Sequence, residues 1–217
     1  LKKKIKFLFR ECIKQWINDS TIVKRALEKP RGYGGDYLTI EMFYNQETRA
    51  KGLGWYFDQC ILKNKLAHAD IFRKDKMVEL LLENINRSKK NHLAILNLGC
   101  GGCRDLRDFF CSNSSQKKLD IIAVDHDEEA LNFAKRKLKH IHGQARITYV
   151  KEDIINLLKQ YRYKRAKSFL KRFDIVYSIG LVDYFADNVL KLFVSFGLSA
   201  LLPNGKLIIA HKNNKKF

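Results

Sequence analysis

Two glycines and two aspartates mark the chemistry that this sequence can support. Gly99 and Gly101 punctuate the run Ile95-Leu96-Asn97-Leu98-Gly99-Cys100-Gly101-Gly102-Cys103-Arg104-Asp105, where an apolar segment turns on glycine into a helix-compatible one. Such a turn brings backbone N–H groups close to a ligand, at the place where open α/β sheets bind nucleotides. Asp125 follows about 24 residues after Gly101, where an acid commonly receives two ribose hydroxyls. Asp153 closes a further apolar run with Ile154 behind it, and Tyr177-Ser178-Ile179-Gly180-Leu181 closes another. A glycine-rich turn alone is often only a turn. Two acids in register with it point to a bound nucleoside.

Alternating strands and helices must position these groups. From Leu93 onward the pattern predicts strands over 93–98, 119–125, 147–150, 173–178 and 206–210. Helices are expected over 104–111, 127–140, 154–167 and 188–202, with Pro203-Asn204-Gly205 as the turn into the last strand. This alternation predicts a parallel sheet with crossover helices on both faces, and parallel strands place all their ends on one edge. The first ninety residues read as helices instead. Ile5, Leu8, Phe9, Ile13, Trp16 and Ile17 recur at helical spacing, and Asp19-Ser20 caps a segment over 21–29. Further helices are predicted over 38–44, 54–65 and 66–86, the last carrying Ile71, Met77, Val78, Leu81, Leu82 and Ile85 inward. The polar stretch Ser88-Lys89-Lys90-Asn91 then separates a helical substrate or lid region, 1–91, from a cofactor-binding domain, 92–217.

Composition bounds the rest. A chain of 217 residues, 46% hydrophobic and 30% charged, can bury a core, and it holds no apolar run long enough to span a membrane. The net charge of +19 suits an anionic partner, but the basic residues are scattered as on solvated helix faces. Five cysteines predict free thiols and a cytoplasmic location. Cys100-Gly101-Gly102-Cys103 resembles a redox dithiol in spacing, yet Pro30 and Pro203 are the only prolines that could stand opposite it. The histidines and cysteines show no metal-ligand spacing, so no metal is expected.

Two nucleotide classes compete for the turn. A dinucleotide fingerprint needs a third glycine where Arg104 stands, and no P-loop lysine pattern is present. Asn97-Leu98-Gly99-Cys100-Gly101-Gly102-Cys103 instead resembles the first motif of the class I S-adenosylmethionine-dependent methyltransferases, acid-x-Gly-x-Gly-x-Gly. Asn97 departs from the acid and Cys103 from the last glycine. The resemblance covers about 93–211 and implies a Rossmann-like methyltransferase sheet preceded by the helical region. It implies S-adenosylmethionine as cofactor, with Gly99, Cys100 and Gly101 at the turn and Asp125 on the ribose. Asp153 falls on the adenine amino group, Ile154 on the base and Ser178 on the fourth strand's end. His126 stands where it touches the adenosine edge or faces solvent. The family adds two strands after the fifth, so that sheet edge is missing or lies outside the sequence.

Three segments carry a narrower likeness: Pro30-Arg31-Gly32-Tyr33-Gly34-Gly35-Asp36, Gly99 to Asp105, and Ile179-Gly180-Leu181-Val182-Asp183-Tyr184. They resemble the methyltransferases that make a bacterial extracellular factor, the methyl ester of 3-hydroxypalmitic acid. That implies carboxyl O-methylation of a small or acyl, anionic substrate. Asp36, Asp183 and Tyr184 are then candidate substrate groups, and Tyr33 a candidate shield for the sulfonium. Nucleic acid ranks behind, because no Asp/Asn-Pro-Pro-aromatic element follows the fourth strand. The non-enzymatic alternative is a basic binding module on a degenerate methyltransferase fold. Replacing Asp125 is expected to weaken cofactor binding without harming the fold.

Overall fold

The computed structural model describes residues 11, 14, 17–141, 143 and 145–211. Ile5, Leu8, Phe9, Ile13 and Trp16, read above as part of a first helix, lie outside them. By compactness the chain divides into two units, Leu1–Phe72 and Arg73–Phe217.

The first unit contains α1 (Thr21–Glu28), α2 (Tyr37–Asn45) and α3 (Gly52–Leu62), and α4 (Lys65–Arg87) begins in it. Polar side chains set the helix starts, as the cap signals predict. Ser20 caps α1 by accepting from the Val23 N–H. Asp58, fully buried on α3, accepts from the hydroxyls of Ser20 and Thr48 and from the Thr21 and Ile22 N–H groups at 3.2 Å. One carboxylate thus meets the positive end of α1. Asp36 caps α2, taking the Thr39 N–H at 3.0 Å.

The second unit holds β1 (His92–Leu98), α5 (Arg104–Ser112), β2 (Lys118–Asp125), α6 (Glu128–Lys137), β3 (Ala145–Lys151), α7 (Ile154–Arg162), β4 (Phe173–Ile179), α8 (Asp187–Ala200) and β5 (Leu201–Ala210). The five strands form one parallel sheet in the order β3-β2-β1-β4-β5. Alternation along β1 sends Leu93 and Ile95 to one face, where they meet Met77, Leu81 and Ile85 of α4 and Phe109 of α5. Leu96 and Leu98 go to the other face, against Leu157 of α7 and Phe193 and Phe196 of α8. Each such buried side chain contributes roughly 1.5–3 kcal/mol of transfer free energy.

Two details differ from the sequence expectation. Pro203-Asn204-Gly205 is not a turn before β5 but a bulge inside it. Leu201 pairs with Phe173, and Lys206 already pairs with Ile175, so Leu202, Pro203, Asn204 and Gly205 loop out opposite Asp174, with Asn204 at φ +65°. The α7 helix stops at Arg162, with Lys164 in the left-handed region at φ +59°, well short of the expected end at 167. The polar stretch at 88–91 follows a reinforced helix end: Lys117 donates to the carbonyls of Ile85 at 2.6 Å, Asn86 at 3.2 Å and Ser88 at 2.5 Å.

Candidate functional site

The glycine turn leaves β1 and bends back on the end of β2. Gly99 sits at φ +71° and Gly101 at φ +49°, in the left-handed region that glycine enters at little cost. A Cβ at Gly99 would stand 3.0 Å from the Leu181 side chain, which would have to shift to admit it. Cys103, at the place of the family's last glycine, keeps the same left-handed backbone at φ +50°. The turn's N–H groups point inward. Those of Gly99 and Cys100 both bond the Val124 carbonyl, at 2.9 and 3.0 Å, and Gly101 donates to the Asp125 carboxylate at 2.7 Å.

Beneath the turn lies a buried polar group that the sequence reading did not single out. Tyr177 of β4 donates to Asp105 at 2.5 Å, and the Asn97 amide donates to Tyr177 at 2.8 Å and to Asp105 at 3.4 Å. Asp105 lies in the first turn of α5 and also accepts from the Leu106 backbone N–H. Burial pushes its carboxyl up to about 6, against hydrogen bonds from Tyr177 and the backbone that favour the charged form. The available signal was Asn97 itself, a polar residue in an apolar strand that had to find buried partners. Burial and the Asp105 charge raise Tyr177 well above the ordinary range.

The structure gives the expected ligand groups structural work as well. Asp125 is 6% exposed; besides Gly101 it accepts from the Asp127 N–H at 2.9 Å. Its carboxylate therefore clamps the glycine turn to the end of β2, while its remaining lone pairs suit hydroxyl donors. Those two backbone bonds give this residue a part in holding the turn as well as a place at the site. His126 approaches Asp125 with Nδ1 at 3.3 Å, and that contact raises its pKa. Asp153, exposed at the end of β3, caps α7 through the Asn156 N–H at 2.9 Å. Ile154 is buried in the core between α7 and α8. Ser178 spends its hydroxyl proton on the Leu98 carbonyl at 2.8 Å, tying β4 to β1 just below the turn.

Of the proposed substrate groups, Asp183 lies in the short 3-10 turn Leu181–Tyr184 beyond β4 and accepts from Arg73 at 2.7 Å. Tyr184, next to it, is exposed. In the first unit Tyr33 is half-buried, and Asp36 is 1% exposed, holding Arg25 and Arg31 as well as its helix cap. Burial pushes the Asp36 carboxyl up, but hydrogen bonds from Arg25 and Thr39 outweigh it and hold it below the usual value. Cys100 and Cys103 are buried beneath the turn. Desolvation raises Cys100 well above the ordinary thiol range, and burial with the Asp105 charge raises Cys103 despite a hydrogen bond from Cys100. Thiols held protonated do not make a reactive dithiol. Among the described residues no group of three or more His, Cys, Asp or Glu could hold a metal ion, and no helix is long and apolar enough to cross a membrane.

The site suits the cofactor that the resemblance implies. Three successive N–H groups of the turn are spent on the protein, and the first turn of α5 carries a carboxylate; both disfavour a pyrophosphate at the turn. A nucleoside bearing a sulfonium and an ammonium finds two buried acids, Asp105 and Asp125, and no phosphate to repel.

Comparison with known proteins agrees. A family model described as a methyltransferase domain matches residues 89–216. None of the curated proteins matches the sequence. Among solved structures, a possible exported protein from Bordetella parapertussis shares 18% identity at a TM-score of 0.61, covering 80% of this chain and 53% of that one. The DszA carbon methyltransferase shares 18% identity at a TM-score of 0.50, covering 96% of this chain and 51% of that one. At such identity these likenesses speak for the fold, and the chain spans about half the length of each. With the matched segment running over more than half of its residues, the chain belongs to the methyltransferase domain family, with S-adenosylmethionine as its cofactor.

Proposed function

We propose that the chain transfers a methyl group to a small anionic acceptor, and that the reaction is O-methylation of a carboxyl group. The observation that carries the donor half of the reading is the spent turn over buried acid: Gly99, Cys100 and Gly101 donate inward, and Asp105 lies below. That arrangement repels phosphate and favours positive charge.

S-adenosylmethionine, when bound, supplies a methyl group already activated by its sulfonium. The chain's residues have to bind, align and keep water out. Asp153 and Asp125 would hold adenine and ribose at the ends of β3 and β2, and the sheet order then carries the rest of the donor over β1 towards β4. A carboxylate acceptor arrives already ionised at neutral pH and asks for no general base. The single acid in the 3-10 turn beyond β4, Asp183, is paired with Arg73 and so is poorly placed to take a proton. A fatty hydroxy acid as acceptor is supported by the three segments that resemble the extracellular-factor methyltransferases.

Calorimetry with S-adenosylmethionine, its demethylated product and NAD tests the cofactor half. Tight NAD binding without S-adenosylmethionine binding would refute it. Incubation with methyl-labelled donor and 3-hydroxy fatty acids tests the acceptor half. A carboxyl methyl ester releases volatile labelled methanol in alkali, whereas label that survives alkali places the methyl group elsewhere. Donor binding with no transfer to any acid would favour the binding-module alternative.

A further inference from the structure

Basic residues that look scattered along the sequence are gathered by the fold. Seven of the fourteen residues from 159 to 172 are Lys or Arg, and no acid stands between Asp153 and Asp174. Lys159, Arg162, Lys164, Arg165, Lys167 and Lys171 are all exposed, and among the described residues none of the six pairs with an acid. This segment runs from the last turn of α7 to the start of β4, so it lies at the edge of the sheet opposite the glycine turn. The acids in the first half of β4 and of β2 are already taken. Asp174 holds Lys90 and the Ala94 N–H, and Asp120 holds His92 at 2.9 Å.

The segment is a built surface. Ala166 is buried, and Phe169 stands edge-on to Phe196 of α8, with ring centroids 6.3 Å apart. The Lys171 and Arg172 N–H groups bond the Ser199 and Ala200 carbonyls, both at 2.9 Å, so the end of α8 holds the segment down. Lys164 and Lys171 occupy left-handed backbone at φ +59° and +49°, where glycine would sit more easily, and both put a charge into solvent instead. Neighbouring strands extend the charge. Ile95 pairs with Ile175 and His92 with Lys118, so the entrances to β4, β1 and β2 stand side by side at a spacing of about 4.8 Å. They bring the exposed Lys89 and Lys118 to the same edge.

We propose that this edge docks a single-stranded nucleic acid, with phosphates on the cations and a base stacked on Tyr163. Tyr163 follows α7 amid these cations and is 68% exposed. An aromatic face among Lys and Arg matches a strand that presents phosphates and bases in turn. An anionic lipid surface fits less well, because α7 spends Leu157 and Leu158 on the core and does not offer them to lipid. Lipid held here would also stand away from the strand ends to which the donor is assigned. For the same reason the nucleic acid is a partner and not the methyl acceptor, and the proposal stands whether or not the acceptor is a carboxylate. The bland rival is solvated charge, with Lys159 and Arg162 merely suiting the negative end of α7.

Fluorescence anisotropy on the full chain tests this, with a labelled mixed-sequence RNA of about 20 nucleotides titrated over a range of salt. The edge variant is Lys164→Gln/Arg165→Gln/Lys167→Gln. Its control, Lys51→Gln/Lys63→Gln/Lys65→Gln, removes the same charge from exposed positions of the first unit. The logarithm of wild-type affinity should fall linearly with the logarithm of salt. The edge variant should bind at least tenfold more weakly near physiological salt and flatten that slope by about 2, three phosphate contacts at roughly 0.7 each. Tyr163→Ala should weaken binding about fivefold to a hundredfold at an unchanged slope, and Tyr163→Phe should restore it. The control should bind as wild type does, and melting temperature and S-adenosylmethionine affinity should be the same in all forms. Wild-type protein that fails to bind the RNA at low salt, equal losses in the edge variant and its control, or full affinity in Tyr163→Ala overturns the proposal. A loss of donor affinity matching the loss of RNA affinity overturns it too. Phosphatidylserine vesicles that bind wild type but not the edge variant, with no binding of RNA, would overturn it in favour of a lipid surface.

Discussion

In Asp105→Asn the buried carboxylate beneath the glycine turn becomes a neutral amide of nearly the same shape. Asp105 is 4% exposed, and burial raises its carboxyl from an ordinary 3.8 to about 6. A folded-state value above the unfolded one means that between those two pH values the folded chain holds more protons. Stability therefore falls as pH rises through that window and stays lower above it. Two pH units at about 1.4 kcal/mol each give a cost of roughly 3 kcal/mol for carrying the charge at neutral pH. The variant escapes that cost but loses a favourable charge at the start of α5, about 0.3–1 kcal/mol, and its amide fits the Leu106 N–H less well. The net expectation is a gain of about 1–2 kcal/mol at pH 7.5, a rise in melting temperature of roughly 2–8 °C for a chain of this size.

Melting curves of both proteins between pH 4 and 8.5 supply the check. The two melting temperatures should come together near pH 4, separate as pH rises from about 4 to about 6, and stay apart by a constant amount above it. Cofactor affinity should move the other way at pH 7.5, because the variant removes a negative charge from beneath a cationic ligand. A difference between the two curves that does not change with pH would refute the reasoning, since it would place the ionisation of Asp105 outside this window. A variant that is both more stable and a better binder would refute the claim that the charge serves the cofactor.

Three further outcomes follow from particular bonds. Asp125→Ala should lower both cofactor affinity and melting temperature, because it leaves the Gly101 and Asp127 N–H groups unbonded at about 1–3 kcal/mol each; calorimetry and thermal melts on the same preparation show whether the two losses come together. Cys103→Gly should be nearly neutral, since relief of roughly 1 kcal/mol of left-handed strain offsets the lost buried thiol, whereas Cys103→Val should destabilise strongly, and urea unfolding distinguishes them. Asp58→Asn should loosen the first unit by about 2–3 kcal/mol, because an amide cannot accept from Ser20, Thr21, Ile22 and Thr48 together; hydrogen exchange at α1 and α3 should rise while exchange in the sheet does not.

The sheet was legible because its strands are short apolar runs closed by glycine or aspartate, and the crossover rule puts their ends on one edge. Element ends were less so. Nothing in Leu201-Leu202-Pro203-Asn204-Gly205 distinguishes a turn before a strand from a bulge within it, and only the pairing of Leu201 with Phe173 decides. The acids at strand ends were legible as positions but not as roles. An aspartate between a strand and a helix is also the ordinary helix cap, and Asp153 and Asp36 both cap helices here. Asp105, Tyr177 and Arg73 were overlooked because their partners are distant in sequence. A clue was present on α4, where Asp70 and Lys74 continue the stripe of Met77 and Leu81 at helical spacing and are themselves buried. Charges within an apolar stripe announce partners without naming them.

The two departures of the glycine motif look different once the chain is folded. Asn97 stands where the family has an acid, yet a carboxylate still reaches the space beneath the turn, brought by Asp105 from the next helix and held by Asn97 and Tyr177. Cys103 stands where the family has a glycine, yet its backbone adopts the left-handed angle that glycine would, and burial of its side chain helps to offset the strain. A carboxylate below the turn and a left-handed residue at its end are both present, and neither feature depends on one residue type. A motif read residue by residue scores both positions as losses. Read by charge and dihedral angle, both are met by other means.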